Sequence, residues 1–203
     1  MNLTRGFQNL IQKNLTMEDA LPTKMPVYVN SFAYLFGVIS LSSLVMLIGT
    51  GVVMTIFGPE WYHFSSAGRF LNSMHFWSVQ LLFGGIIMHL LTKFFMAAWR
   101  GGRWLTWVIG VLSFLIAAVA GLTGFLSQTN FDSQWISVQA KDAVNAAGLG
   151  QIINTMNTGQ ILTLHIVVLP LAVCAFVGIH ILLIRRDSPV RPISEEKKVK
   201  VRK

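Results

Sequence analysis

The chain has 203 residues, 53% of them hydrophobic and 12% charged, with a net charge of +8. That charge content is about half the usual share of a soluble domain, and several apolar runs exceed the ~20 residues that cross a bilayer. The composition therefore argues against a soluble enzyme and for an integral membrane protein built as one domain. The positive charge lies in loops and tail, which argues against a nucleic-acid surface. The single cysteine, Cys174, excludes an internal disulfide, a thiolate zinc site and a cysteine-held iron–sulfur cluster.

In chain order, residues 1–25 place Leu3, Phe7, Leu10, Ile11 and Leu15 at helical spacing among polar residues. They read as an amphipathic helix on the membrane surface or as a disordered tail. They lack the continuous apolar core of a signal peptide. Residues 26–186 read as an all-α four-helix membrane bundle, with spans at about 32–57, 71–98, 104–126 and 160–184. Gly58 and Pro59 stop the first span, and the following loop carries Glu60 and His63. Arg100, Gly101, Gly102 and Arg103 form a tight basic turn after the second. A polar segment, 127–159, separates the third from the fourth, with a short helix expected over 138–147 and ended by Gly148. Residues 187–203 are a basic tail.

Loop charge orients the bundle. The segment up to Lys24 has three basic and two acidic residues, and the tail from Arg185 has eight basic and three acidic. The turn at 99–103 is basic as well. The positive-inside rule places this turn and both termini in the cytoplasm. The second and fourth spans then run in the same direction.

Those two spans hold four of the five histidines. His75 and His89 are fourteen residues apart, and His165 and His180 fifteen. At about 100° and 1.5 Å per residue, each pair shares one face of its helix, and the first pair is separated by roughly 21 Å. Two parallel helices of this kind offer facing imidazoles at two depths. A lone histidine in a membrane helix usually hydrogen-bonds a neighbouring helix. Two matched pairs favour ligation, and two imidazoles complete an octahedral haem iron with no open position, which suits electron transfer. His63, without a helical partner, is not expected to be a ligand.

Glycines repeat the period. Gly37 and Gly51 on the first span, and Gly110 and Gly124 on the third, are each fourteen apart. A flat macrocycle edge approaches a helix backbone where there is no Cβ, although membrane helices also use glycine for packing. Pro170, inside the fourth span, removes a backbone donor and is expected to kink it.

From Pro26 to Ile184 the chain resembles cytochrome b, and most closely its short split form, cytochrome b6. The resemblance is carried by the paired histidines, the paired glycines, Val29-Asn30 with Phe32, the run from Arg103 to Trp107, and His165 through Leu169 and Pro170. It implies two b haems stacked across the membrane. His75 and His165 would bind the outer one beside Gly51 and Gly124, and His89 and His180 the inner one beside Gly37 and Gly110. Tyr34 stands where b6 relatives carry a cysteine that holds an extra haem, so both haems are expected to be non-covalent. Phe76, Asn72 and Gln160 occupy positions that are commonly arginine in relatives, and Phe125 to Asp132 departs from the family pattern near the quinol site.

The function so implied is that of a dihaem subunit in a quinol-oxidising Rieske/cytochrome b complex, carrying electrons between outer and inner quinone sites in a bacterial cell membrane. The implied partners are a second membrane subunit with the remaining cytochrome b helices, a Rieske iron–sulfur protein, a cytochrome c-like acceptor, quinone and quinol, and a second copy of the complex. An alternative is a dihaem subunit passing electrons between quinone and another redox module without bifurcation. A haem-free membrane anchor is the third reading.

Overall fold

A computed structural model describes residues 31–128, 130–187 and 190. The expected surface helix at 1–25 and most of the basic tail lie outside them. Every described element is helical: α1 (Phe32–Phe57), α2 (Trp61–Phe64), α3 (Ser66–Phe95), α4 (Trp104–Leu126), α5 (Phe131–Ala146), α6 (Thr158–Thr163) and α7 (Leu169–Arg186). A π-helical segment, Leu164–Val168, joins α6 to α7, giving one continuous helix over Thr158–Arg186. This helix, α1, α3 and α4 are each long and apolar enough to cross a membrane.

Local chemistry sets the ends. Gly58, at φ 89°, adopts a backbone that disfavours a side chain, and α1 stops there. The second long helix begins at Ser66, five residues before the start expected from the apolar run. The reason is a cap: the Ser65 side chain accepts a hydrogen bond from the Gly68 amide at 3.2 Å. Asn130 caps α5 by accepting from the Ser133 amide at 2.8 Å. The helix there runs over Phe131–Ala146 rather than 138–147. Asn157 caps α6 by accepting from the Gln160 amide at 3.0 Å.

Pro170 does not simply bend its helix. Its ring crowds the carbonyl four residues back and leaves it without a donor. The chain responds by widening the preceding turn, so that the Leu169 amide bonds to the Leu164 carbonyl five residues back. A π turn holds one residue more than an α turn. That extra residue absorbs the difference between the fifteen-residue step from His165 to His180 and the fourteen-residue step from His75 to His89.

The helices pack as two pairs. α1 lies along α3, and α4 lies along the α6–α7 helix, with few contacts between the pairs. Within a pair the approach is close: a Cβ added at Gly85 of α3 would meet Ser40 Oγ of α1 at 2.7 Å. The interior is lined by small hydroxyl residues, among them Ser43, Thr50, Ser78, Thr106 and Ser113. Ser43, Thr50, Ser78 and Ser113 return their protons to carbonyls one turn back. Large apolar side chains such as Phe32, Val45, Ile56, Phe70, Trp77 and Leu115 face outward. Small residues inside and apolar bulk outside is the pattern of helices packed in lipid, where backbone groups must be satisfied within each helix.

Candidate functional site

The four histidines of the two spans fall into two tiers in the space between the helix pairs. His75 of α3 faces His165 of the π-helical segment, with ring centroids 6.2 Å apart and planes 80° to one another. His89 of α3 has His180 of α7 as its electrostatic neighbour. A metal held between two imidazole nitrogens, each at about 2 Å, separates the ring centroids by roughly 6 Å, and the His75–His165 spacing fits that. His63 stays out of both tiers, half-exposed beside Glu60 at 3.5 Å.

The hydrogen bonds fix which ring nitrogen is free. His165 Nδ1 lies 2.9 Å from the Ala120 carbonyl, and His180 Nδ1 lies 3.0 Å from the Thr106 carbonyl. A carbonyl only accepts, so each Nδ1 carries the proton and each Nε2 keeps its lone pair. His75 Nδ1 lies 2.9 Å from Thr50 Oγ1. The Thr50 hydroxyl already donates to the Met46 carbonyl at 2.8 Å, so it accepts from His75, which therefore has the same tautomer. His89 lies beside the Ala33 carbonyl, but its buried Nδ1 does not reach hydrogen-bond geometry and has no partner among the described residues. An imidazole with Nδ1–H anchored and Nε2 bare is the usual state of a metal-ligating histidine.

Each glycine of the two repeats stands against one of these rings. A Cβ added at Gly124 would meet His165 Cε1 at 2.5 Å, and one at Gly110 would meet His180 Cε1 at 2.7 Å. At Gly37 it would meet His89 at 3.2 Å, and at Gly51 it would meet His75 at 3.5 Å. The sequence pattern suggested room for a macrocycle edge, and the neighbour found at all four positions is the imidazole. Backbone carbonyls complete the motif. Ala33, Leu47, Thr106 and Ala120, each beside its histidine, lie four residues before Gly37, Gly51, Gly110 and Gly124. One helical turn therefore supplies both the acceptor and the gap.

Two residues that sequence reasoning missed belong to the site. Thr50 anchors His75, and nothing in its sequence setting marks it apart from other threonines in spans. A valine there would remove the acceptor and leave the Leu47 carbonyl alone beside the ring. Thr50→Val is expected to weaken binding of a ligated metal group in this tier roughly tenfold and to raise its midpoint potential, because an Nδ1–H bond to an acceptor favours the oxidised metal. Thr50→Ser should behave as the unsubstituted chain. Equal midpoints in Thr50→Val and the parent, by redox titration, would remove Thr50 from the site.

The second missed residue is Lys93, buried one turn beyond His89.

Charges gather at that end. Asp187 accepts from Thr106 Oγ1 at 3.0 Å and from Arg186 Nε at 2.8 Å. Burial alone would raise its carboxyl, but those two hydrogen bonds, with the charges of Arg186 and Arg103, hold it below the ordinary value. Because Thr106 also offers its carbonyl to His180, the Asp187 network fixes the α4 turn that positions this ring. At the opposite end, Gln160 donates to the Ile152 carbonyl and accepts from the Asn154 amide, so it braces the loop before α6. A small cavity of about 70 Å³ lies between α5 and α6, lined by Gln134, Ser137, Thr155 and Met156 among others.

Two imidazoles give a metal two donors. Among the described residues no group of three or more His, Cys, Asp or Glu could hold a metal ion. A tetrapyrrole, which brings four nitrogens of its own, is a metal group that two imidazoles suffice to hold.

Residues 80–203 match the model of the family described as cytochrome b (N-terminal)/b6/petB. The chain is similar to the menaquinol:cytochrome c reductase cytochrome b subunit of Geobacillus thermodenitrificans, at 25% identity over 86% of this chain and 91% of that one. Its fold is similar to that of a chain of a hyperthermophilic respiratory Complex III, with a TM-score of 0.70 at 18% identity. That match covers 78% of this chain and 49% of the other, so the present chain spans about half its structural relative.

Proposed function

The chain belongs to the cytochrome b (N-terminal)/b6 family, and from that premise we propose that it is the dihaem subunit of a quinol-oxidising complex. One observation carries the reading. Two tiers of imidazoles stand between the helix pairs, and three of the four rings have Nδ1 anchored and Nε2 free. His75 and His165 hold one b haem, and His89 and His180 the other. An iron tetrapyrrole so held supplies one-electron transfer without an open coordination position. The protein orients the rings through Thr50, Ala120 and Thr106. It admits them at Gly51, Gly124, Gly110 and Gly37, and it keeps bulk water out with a sheath of apolar side chains.

Both haems are non-covalent in this reading. Tyr34 cannot form a thioether, and the only cysteine, Cys174, is exposed on the outside of α7. The tiers lie at different depths, so electrons pass between quinone sites on the two faces of the membrane. The loops bearing Glu60 and α5 face outward, and the 99–103 turn and both termini face the cytoplasm. The likeness to a menaquinol:cytochrome c reductase subunit and to a longer Complex III chain supports the partners proposed. They are a second membrane subunit with the missing helices, a Rieske protein, a cytochrome c-like acceptor and a second copy of the complex.

Purification of the chain from detergent-solubilised membranes tests this directly. A Rieske protein should copurify, and quinol should reduce both haems. Acid–acetone should extract all the haem and leave no peroxidase-active band at the mass of this chain. A haem-free preparation would restore the anchor reading. Two haems without a Rieske partner would favour a dihaem subunit that does not bifurcate, and a haem that resists extraction would refute the non-covalent assignment.

A further inference from the structure

Lys93 lies within α3, two residues before its end, and is 9% exposed. A lysine so near a helix end ordinarily extends its ammonium to the membrane surface. This one does not. Its Nζ is sealed from solvent with no hydrogen-bond partner among the described residues, and it sits 3.4 Å from the centre of the Tyr34 ring. A cation over an aromatic face recovers only part of the hydration it gave up.

No described carboxylate serves as its partner. Glu60, Asp132 and Asp142 belong to loops and a helix at the opposite end of the bundle. Asp187 is engaged by Thr106 and Arg186. Lys93 lies one turn beyond His89 on the same side of α3, within electrostatic range of both His89 and His180. The same tier holds His89 Nδ1, likewise buried without a hydrogen-bond partner among the described residues.

We propose that Lys93 is the counter-ion of the group held between His89 and His180, bonding a carboxylate on the edge of that tetrapyrrole. The assignment rests on the dihaem reading above and adds to it a charge partner for one haem only. Tyr34 is the floor that holds the ammonium in place, and its hydroxyl is tied to the Val190 carbonyl at 3.3 Å. Lys93 acts here as a positioning residue. Its charge favours the reduced, more negative state of the group it faces, while the His75–His165 tier, roughly 27 Å away along the helix, is left alone.

The test compares the purified holoprotein with Lys93→Met and Lys93→Arg. In Lys93→Met the midpoint of the His89–His180 haem should fall, and the propionate bending band of that haem in the resonance Raman spectrum should shift. The other haem should be unchanged, and Lys93→Arg should restore both readouts. Unaltered midpoint and Raman band in a Lys93→Met protein that retains both haems would overturn the proposal. A midpoint shift without a Raman shift would also overturn it, pointing to a lipid or quinone anion on the ammonium instead. If Lys93→Met loses this haem, recovery in Lys93→Arg supports a charge partner, and loss in both variants overturns it. An unsubstituted protein without a second haem would overturn the dihaem reading itself, and this proposal with it.

Discussion

Replacing His75 or His165 by alanine is expected to abolish one and the same haem, and replacing His89 or His180 the other. The pairing follows from the 6.2 Å between the His75 and His165 rings and from the electrostatic contact of His89 with His180. Sequence neighbours on one helix are separated by four turns and cannot share a metal. Each substitution removes one of two protein donors, so about half of the haem absorbance should vanish and the surviving half should keep its midpoint. Redox titration of the α-band in the four variants gives the result. Loss of different haems in His75→Ala and His165→Ala would break the tiers apart, whatever else the chain binds.

The tiers were legible because histidine is rare in an apolar helix and its spacing reports helical phase directly. The same holds for the glycine repeats and for the four spans, whose apolar runs need no tertiary contact to be recognised. What the sequence concealed arises from packing between helices. The fifteen-residue step from His165 to His180 left those rings further apart in angle than the other pair. Only the π turn before Pro170 brings them into line, and a proline does not announce whether a helix will kink or widen. Thr50 meets His75 only because α1 lies along α3. Lys93 is, in the sequence, one more charge near the basic turn at 99–103. Its burial depends on Tyr34, fifty-nine positions earlier in the chain. The start of α3 moved for a smaller reason: a serine cap outweighed the polar composition of its first turn.

The glycines are expected to differ sharply among themselves, and the order discriminates between two reasons for their presence. If each makes room for an imidazole, the cost of a methyl group follows the gap. Gly124→Ala would press on His165 at 2.5 Å and Gly110→Ala on His180 at 2.7 Å. Neither ring can retreat freely, since its Nδ1–H is bonded to a carbonyl on the helix that carries the new methyl. Withdrawal would also give up that bond, worth about 1 kcal/mol. Overpacking of this kind costs on the order of 2 kcal/mol, so haem affinity in the affected tier should drop roughly thirtyfold. Gly37→Ala meets His89 at 3.2 Å, and among the described residues the Nδ1 of that ring has no hydrogen bond to lose, so it can shift and the effect should be mild. Gly51→Ala meets His75 at 3.5 Å, ordinary contact, and should leave haem content and midpoint unchanged. Haem occupancy and midpoints of the four alanine variants therefore form a graded series, with α4 sensitive and α1 tolerant. Equal and severe loss at all four positions would mean that the glycines yield to something flatter and closer than imidazole. The macrocycle edge, rather than the histidine ring, would then be what the missing side chains make room for.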